Sequence, residues 1–250
     1  MAKHLRQWDR TKYERYLSEG RGFGEGKDYK PWILVQDFSS QGTVSRISGY
    51  KSGRIHHFMS RNELYYFYIL EWSDNVLDIR EQYPLHDINL AMKLAKDVGI
   101  KYPCDKSSGF PYVLTCDFMI TTRNGLKART IKHSQELSDK RTLEKLEVER
   151  RYWERLSVDW AIVTENEISI EKAKFIEWIY AANQIPLYLK KDKIINTVIE
   201  KFKNTSIHNI ATETEKQFGL EPGSGVLIIK YLFLKKLLSF DFENYYVEIK

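Results

Sequence analysis

The dipeptide Asn124-Gly125, set between two strand-like runs, constrains the fold of this chain more than any other feature. A type I′ turn needs positive φ at both central positions, so the stretch from Tyr112 to Ser134 predicts a β-hairpin with its turn at these two residues. Cross-strand partners share one face of a sheet, so an acid and an amine would converge there. The predicted cross-strand pairs are Arg123 with Leu126, Met119 with Thr130, and Asp117 with Lys132.

The segments around this hairpin predict an α/β fold. A helix should begin after Ser60, because Ser60 and Glu63 have the spacing of a capping box. A second helix is predicted from Ser138 to Leu156, with Ser138 or Asp139 as its cap. Strands are predicted at Val76 to Ile79 and at Val158 to Thr164, and the second is apolar enough to be covered on both faces. This order favours a mixed β-sheet flanked by helices. The apolar face of the hairpin carries Leu114, Cys116, Phe118, Ile120 and Ile131.

The N-terminal part contains short strand-like runs at Trp32 to Val35 and within Thr43 to Phe58. Before them, Glu19 to Trp32 reads EGRGFGEGKDYKPW, with four alternating glycines among charges. Such a stretch could cradle a phosphate, but no strand precedes it and no clear helix follows. It therefore matches neither a nucleotide P-loop nor a dinucleotide fingerprint, and a flexible surface loop is the favoured interpretation.

The character of the sequence changes after Thr164. A helix from Ile168 to Ala182 is followed by three further helical stretches and two short strands that turn at Glu243-Asn244. Three helices and a small hairpin are the order of a winged helix, although other small helical domains also end in a hairpin. We therefore expect a catalytic domain over residues 1–167 and a helical, winged-helix-like domain over 168–250.

Composition excludes several classes of protein. No run of eighteen apolar residues and no signal-peptide pattern is present, so we expect a soluble, cytoplasmic protein. Two cysteines in 250 residues are too few for a disulfide framework, and they lack zinc-ligand spacing. Residues 1–60 hold eleven Lys or Arg against six Asp or Glu, a surplus equal to the net charge of +5 of the whole chain. This segment is the expected phosphate-contacting surface, or else a solvated basic tail.

The candidate chemistry is metal-dependent hydrolysis of a phosphodiester. That reaction needs a metal to activate water and a cation near the scissile group. Hard cations such as Mg²⁺, for which Mn²⁺ should substitute, bind carboxylates, backbone carbonyls and waters. Asp117 supplies a carboxylate and Lys132 the cation. Glu149 lies on the apolar stripe of its helix, where an unpaired charge is costly, so it needs a partner.

Asp117 and Lys132 fit the geometry of the restriction-endonuclease-like motif PD-(D/E)-x-K, except that Thr130 occupies the position of the second acid. Beyond that motif, the chain resembles TnsA, the endonuclease subunit of heteromeric cut-and-paste bacterial transposases. The resemblance is spread over most of residues 19–165. Its matching stretches are Glu19 to Trp32 (EGRGFGEGKDYKPW), Arg54 to His57 (RIHH), Leu70 to Leu85 (LEWSDNVLDIREQYPL), Cys116 to Phe118 (CDF) and Arg141 to Trp153 (RTLEKLEVERRYW).

The resemblance implies that Glu63, Asp117 and Lys132 fill the catalytic positions of the family, with Glu149 as an auxiliary acid. TnsA proteins often have glutamine where Thr130 stands, so a neutral residue there fits the family. The family cuts the 5′ ends of the transposon in double-stranded DNA, while a DDE transposase, TnsB, cuts and joins the 3′ ends. An AAA+ ATPase regulator, TnsC, would contact the C-terminal domain. The expected metal ligands are Glu63, Asp117, Thr130 and Ile131.

Structural alternatives exist for each residue. Glu63 could serve only as a capping residue, and Asp117 with Lys132 could be an ordinary cross-strand ion pair. Glu149 could pair with Lys145 or with Lys132. His56 and His57 point to opposite faces if they lie on a strand, and are expected to be structural. At the level of function, a stand-alone restriction or repair nuclease and a catalytically silent DNA or ATPase adaptor are the alternatives.

Overall fold

The computed structural model describes residues 7–37, 43–180, 182, 185–201, 206–242 and 246–249. The chain divides into two compact units, Met1–Ser169 and Ile170–Lys250. The helices of the first unit are α1 (Arg10–Ser18), α2 (Arg61–Trp72), α3 (Ile88–Asp97) and α4 (Lys140–Arg155). Its strands are β1 (Ser45–Ser48), β2 (Ile55–Phe58), β3 (Val76–Pro84), β4 (Thr115–Thr122), β5 (Gly125–Ile131) and β6 (Asp159–Val163).

The central sheet of this unit has the order β3-β4-β5-β6, and β1 pairs with β2 in a separate hairpin. Strand β4 pairs antiparallel with both β3 and β5, whereas β6 pairs parallel with β5. A parallel neighbour needs a crossover connection, and α4 supplies it between β5 and β6. The mixed sheet flanked by helices that the sequence predicts is therefore confirmed.

The predicted turn of the β4–β5 hairpin is wrong by one residue. Thr122 pairs with Gly125, so Arg123 and Asn124 form the loop. The Thr122 hydroxyl closes this turn, because it accepts from the Asn124 amide (3.2 Å) and donates to the Gly125 carbonyl (2.8 Å). Gly125 has a φ of +118°, whereas Asn124 has no positive φ. A threonine side chain and the first glycine of β5 thus replace the expected type I′ turn.

The new turn changes the register of the hairpin by two residues. Met119 pairs with Ala128 and Phe118 with Arg129, so the predicted pairs Arg123 with Leu126, Met119 with Thr130 and Asp117 with Lys132 are all wrong. Side chains on a strand alternate with a period of two, so a shift by an even number leaves every residue on its original face. The predicted facial pattern of the hairpin therefore survives the error in its turn.

Both faces of the sheet are covered. On one face Phe118 lies 6.0 Å from Phe58, measured between ring centroids, and Phe58 lies 4.7 Å from Phe67 of α2. On the other face α3 and α4 pack through small and aromatic side chains. The buried members of this second cluster include Ala91, Ala95, Met119, Ala128, Val148, Tyr152 and Trp153. Burial on both faces explains why the strands carry few exposed polar residues.

The helix starts agree with the sequence pattern, whereas two strand predictions do not. Ser60 caps α2 by accepting from the Glu63 amide (3.2 Å), and Asp139 caps α4 by accepting from the Thr142 amide (2.7 Å). Strand β3 extends to Pro84, well beyond the predicted end at Ile79. The predicted strand at Trp32 to Val35 is wrong, because the chain forms a 3-10 turn at Val35–Asp37.

The second unit contains α5 (Ile170–Tyr180), α6 (Asp192–Lys201), α7 (Ile207–Phe218), α8 (Ser224–Leu234), β7 (Leu238–Asp241) and β8 (Tyr246–Ile249). The last three helices precede an antiparallel hairpin, which is the predicted order, and the winged-helix assignment stays a prediction. The predicted turn at Glu243-Asn244 lies outside the described residues. Gly225 lets α7 and α8 approach closely, since a Cβ there would lie 2.4 Å from the Ala211 carbonyl oxygen. Within the described residues, no helix has the length and apolarity to cross a membrane.

Candidate active site

Polar side chains from β4, β5 and α4 surround one cavity of about 300 Å³ in the first unit. The start of β4 contributes Asp117, the end of β5 contributes Thr130 and the following residue is Lys132. Helix α4 contributes Glu149. The remaining lining residues are Leu114, Thr115, Glu136, Thr142, Lys145 and Leu146. The sheet thus places Asp117 and Lys132 at the same cavity, as the alternation along the hairpin predicted.

Asp117 is held by hydrogen bonds to both of its carboxylate oxygens. Its Oδ2 accepts from the Ile131 amide (2.6 Å), and its Oδ1 accepts from the Gln82 side-chain amide (3.3 Å). Burial raises the pKa of Asp117, while the nearby Lys132 and the Ile131 amide oppose that rise. Both carboxylate oxygens are therefore fixed in orientation before any ligand binds.

Glu149 is buried on α4 and is bound by hydrogen-bond donors rather than by a cation. Its Oε1 accepts from the Thr130 hydroxyl and from the Trp160 indole Nε1 (2.9 Å). The expectation that it pairs with Lys145 or Lys132 is wrong, because no ion pair joins them in the described part of the chain. Burial raises the pKa of Glu149 to about 7, so its charge is costly in the absence of a further cation.

Glu63 lies close to Asp117 but is not one of the residues that line the cavity. Its Oε2 accepts from the Met59 amide (3.0 Å), one residue before the position that a capping box would use. Burial and the neighbouring Asp117 raise the pKa of Glu63 to about 8. The capping box predicted for Ser60 and Glu63 is therefore only half formed, and Glu63 combines a bond at the helix start with proximity to the site.

Lys132 provides positive charge at the site. Its Nζ donates to the Ile131 carbonyl (3.1 Å) and makes no direct ion pair with Asp117 in the residues described. Burial alone would lower the pKa of Lys132, but the surrounding carboxylates, Asp117 above all, outweigh it and raise the pKa. Lys132 therefore remains an ammonium ion near neutral pH.

Two residues that organise this site were not among those predicted from the sequence. Gln82 donates from its side-chain amide to both Glu63 and Asp117, each at 3.3 Å. Trp160 binds Glu149 from β6. The signal for Trp160 was an indole donor within an apolar strand. The signal for Gln82 was a polar residue shortly after Ile79. The predicted strand ended at Ile79, so Gln82 was not placed on the sheet.

The carboxylates fit a metal that is bound partly by substrate and water. Among the described residues, no three His, Cys, Asp or Glu side chains are grouped so as to hold a metal by themselves. Mg²⁺ does not require such a group, because it usually binds one or two carboxylates and completes its octahedron with waters and substrate phosphates. Asp117 and Glu149 supply two carboxylates at one cavity, where burial raises the pKa of both.

Two other expected ligands offer less. The Thr130 hydroxyl donates to Glu149, and the Thr130 side chain is buried. Ile131 has only its main-chain carbonyl to offer, and that oxygen accepts from Lys132. Both residues lie beside Asp117, but each is already engaged with a neighbour.

Other conspicuous features of the sequence have structural roles. His56 is fully buried and binds Glu81 (2.7 Å) and Ser52 (2.7 Å), whereas the His57 ring accepts from the Val35 amide (3.3 Å). Several basic residues of the N-terminal segment pair with carboxylates, which leaves less free charge for phosphate than the count suggests. These residues are Arg10, Arg15, Arg21 and Arg54.

Comparison with known proteins identifies a family. Residues 73–165 match the family model of the TnsA-like endonuclease N terminal region, and residues 167–242 match that of the TnsA endonuclease C terminal region. The chain is also similar to the Transposon Tn7 transposition protein TnsA of Escherichia coli. The two are 35% identical over 247 residues, which cover 96% of this chain and 89% of the relative.

Proposed function

Because this chain belongs to the TnsA family and is thus the endonuclease subunit of a heteromeric transposase, we propose that it cuts the 5′ ends of the transposon with Mg²⁺. The observation that carries the proposal is the convergence of Asp117, Glu149 and Lys132 on one cavity. Two carboxylates and one ammonium are the charges that metal-assisted hydrolysis of a phosphodiester needs.

In this proposal Asp117 and Glu149 hold the metal, with the Ile131 carbonyl and the Thr130 hydroxyl beside them. Bound Mg²⁺ would lower the pKa of a water and polarise the scissile phosphate. The Ile131 amide fixes Asp117, and the Thr130 hydroxyl and Trp160 indole fix Glu149, so the ligand oxygens need little reorganisation.

Lys132 and Glu63 have separate roles in the proposal. Lys132 stays protonated, so its ammonium offsets the charge that develops on the phosphate in the transition state. Glu63 lies near Asp117 and shares the Gln82 amide with it, so it would join the ligands, directly or through water, when a metal ion binds. Mn²⁺ should substitute for Mg²⁺, since both choose oxygen ligands.

The proposed partners follow from the family. The relative from Escherichia coli is named as a transposition protein, and this chain should likewise act on transposon ends in double-stranded DNA. A DDE transposase, TnsB, would cut and join the 3′ ends, and an AAA+ ATPase, TnsC, would bind the unit Ile170–Lys250. Cutting of both strands at each end would then release the element.

The test replaces Asp117 by asparagine, which keeps the shape and one of the two hydrogen-bond acceptors but removes the charge. We expect Asp117→Asn to lower the rate of 5′-strand cleavage by at least about 100-fold, because a metal ligand is lost. Cleavage is measured on end-labelled transposon DNA with both partner proteins and Mg²⁺. Asp159→Asn, on the exposed end of β6, is the control and should cleave normally. Unimpaired cleavage by Asp117→Asn would refute the proposal.

A further inference from the structure

Gln82 has a backbone conformation that its position in the fold does not explain. The described residues include three non-glycine residues with positive φ. Ser157 and Lys236 follow the ends of helices, where such a conformation is common, whereas Gln82 has a φ of +48° within strand β3. A left-handed residue in a strand is strained, and such strain is kept where the surroundings enforce it.

The side chain of Gln82 uses this conformation to reach both carboxylates. The flanking pairs Glu81–Phe118 and Tyr83–Cys116 place it directly across from Asp117. Its Nε2 donates to Asp117 Oδ1 and to Glu63 Oε2, both at 3.3 Å, and its Oε1 accepts from the Thr115 hydroxyl at 3.3 Å. One amide therefore links two acids that would otherwise repel each other, and every polar atom of the side chain is used.

The backbone of Gln82 is fixed from the opposite side by the glycine-rich segment, residues 19–32. The Gln82 carbonyl accepts from the Trp32 amide (3.2 Å), and the Tyr29 hydroxyl donates to the preceding carbonyl, that of Glu81 (2.9 Å). The Glu81 side chain is itself fully buried and is bound by Arg54. These contacts hold the strained residue in place, which is what a strained backbone requires in order to persist.

We infer that Gln82 is a positioning residue that sets the separation of Glu63 and Asp117 and presents both to the metal. The inference rests on the proposed function, because it assigns Gln82 to the same site. It also gives the glycine-rich segment a role: the segment supports β3 at the point where Gln82 departs from regular strand geometry. Gln82 touches neither water nor phosphate in this role and acts through the two carboxylates.

The test separates the amide from the backbone strain. In Gln82→Gly the strain is relieved and the amide is lost, whereas in Gln82→Ala the strain remains and the amide is lost. We expect the glycine variant to melt higher than the alanine variant by roughly 3 °C. Both should cleave roughly 10- to 100-fold more slowly than wild type and need more Mg²⁺ for half-maximal rate, as loss of a residue that orients metal ligands implies. Ser157→Gly relieves a similar φ away from the site, so it should cleave at the wild-type rate.

A third variant gives a readout that does not depend on cleavage. Gln82→Glu has nearly the same shape but places a third carboxylate beside Glu63 and Asp117. Its melting temperature in EDTA should lie below that of wild type, and Mn²⁺ should raise it more than it raises that of wild type, because added positive charge relieves the repulsion. A residue that only packs would show no such dependence on metal.

The outcomes distinguish this inference from the proposed function. If wild type cleaves the ends and Asp117→Asn does not, but Gln82→Gly cleaves with the wild-type rate and Mg²⁺ requirement, Gln82 does not position the acids. A Gln82→Glu protein as stable in EDTA as wild type would likewise overturn the inference. If wild type itself fails to cleave with both partners and Mg²⁺ present, the proposed function fails instead.

Discussion

At the scale of single residues, Glu63 and Glu149 each carry a carboxyl group that burial makes reluctant to ionise. The pKa of Glu63 is raised to about 8 and that of Glu149 to about 7, from an ordinary value near 4.5. An acid whose pKa is higher in the folded state stabilises the fold fully below its unfolded pKa. That contribution is lost as the pH rises through the folded pKa. The metal-free protein should therefore lose stability between about pH 4.5 and 8.

This pH dependence can be measured by urea unfolding in EDTA and again with Mn²⁺. We expect the free energy of unfolding in EDTA to fall over that range, and Mn²⁺ to reduce the fall, because a bound cation favours the ionised acids. The variant Glu149→Gln cannot ionise at this position. Over the same pH range its free energy of unfolding should therefore fall by on the order of 2 kcal/mol less than that of wild type. Identical pH profiles for the two proteins would contradict the assigned pKa of Glu149.

Glu149 also allows its charge to be separated from its hydrogen bonds. In Glu149→Gln the side-chain oxygen can still accept from Thr130 and Trp160, so the fold should be kept while cleavage falls by at least about 10-fold. In Glu149→Ala both donors lose their acceptor, so the free energy of unfolding should fall by about 2 kcal/mol more than in Glu149→Gln. The control is Glu154→Gln, an exposed position on the same helix. Normal cleavage by Glu149→Gln would show that the charge of Glu149 takes no part in the reaction.

At the scale of elements, the glycine-rich segment supports β3 through its contacts with Glu81, Gln82 and Pro84. Gly22 has a φ of +80°, and a Cβ there would lie 2.5 Å from the Pro84 ring. Gly22→Ala should therefore destabilise the protein by about 3 kcal/mol, from backbone strain and overpacking together. Gly109 has a φ of +70° but open space around it, so Gly109→Ala should cost about 1 kcal/mol. Urea unfolding of both variants measures the difference in the free energy of unfolding. Equal losses would show that the close approach of Gly22 to Pro84 of β3 does not affect stability.

The β1–β2 hairpin is joined to β3 by a buried ion pair. Burial alone would raise the pKa of Glu81, but His56 and Arg54 outweigh it and lower the pKa to about 2. This contribution to stability has the opposite sign to that of Glu149: it is present above the unfolded pKa and is lost as the pH falls toward 2. Glu81→Gln should cost about 3 kcal/mol at pH 7, because Arg54 is left buried without its partner.

The pair of Arg129 with the exposed Asp159 provides the comparison, since Asp159→Asn should cost less than about 1 kcal/mol. Both variants are compared by urea unfolding at pH 7 and again at pH 3. The difference between Glu81→Gln and wild type should be smaller at pH 3 than at pH 7. A Glu81→Gln protein as stable as wild type at pH 7 would show that the buried network contributes nothing to the hairpin.

At the scale of the whole molecule, each of the two units has its own apolar interior. In Ile170–Lys250 the fully buried side chains include Ile210, Ile228, Leu232 and Phe233. We expect a fragment of residues 170–250 to unfold cooperatively by itself when circular dichroism is followed with temperature. Mn²⁺ should raise the melting temperature of a fragment of residues 1–169 and leave that of 170–250 unchanged. If Mn²⁺ raised the melting temperature of the 170–250 fragment, the assignment of the metal site to the first unit would be contradicted.

Most helices and strands of the fold, and the face of the hairpin on which Asp117 and Lys132 lie, follow from local sequence patterns. Helix caps such as Ser60 and Asp139 act within one turn, and strand alternation is local, so both can be read without knowing the fold. Even an incorrect turn at Asn124-Gly125 left the facial assignment intact, because the register moved by two residues. For Glu63 and Glu149, whose roles the sequence pattern left open, the resemblance to TnsA supplied the prediction of a part in catalysis.

Which partners these residues have depends on contacts that exist only in the folded chain. The turn at Arg123 and Asn124 depends on the Thr122 hydroxyl, and the partners of Glu149 come from two strands, β5 and β6, that reach α4 only in the folded chain. The bridge made by Gln82 requires a left-handed backbone at Gln82 itself. The glycine-rich segment, about 50 residues earlier in the sequence, holds that backbone in place. Contacts between distant segments depend on how the elements pack, and no local pattern encodes that packing.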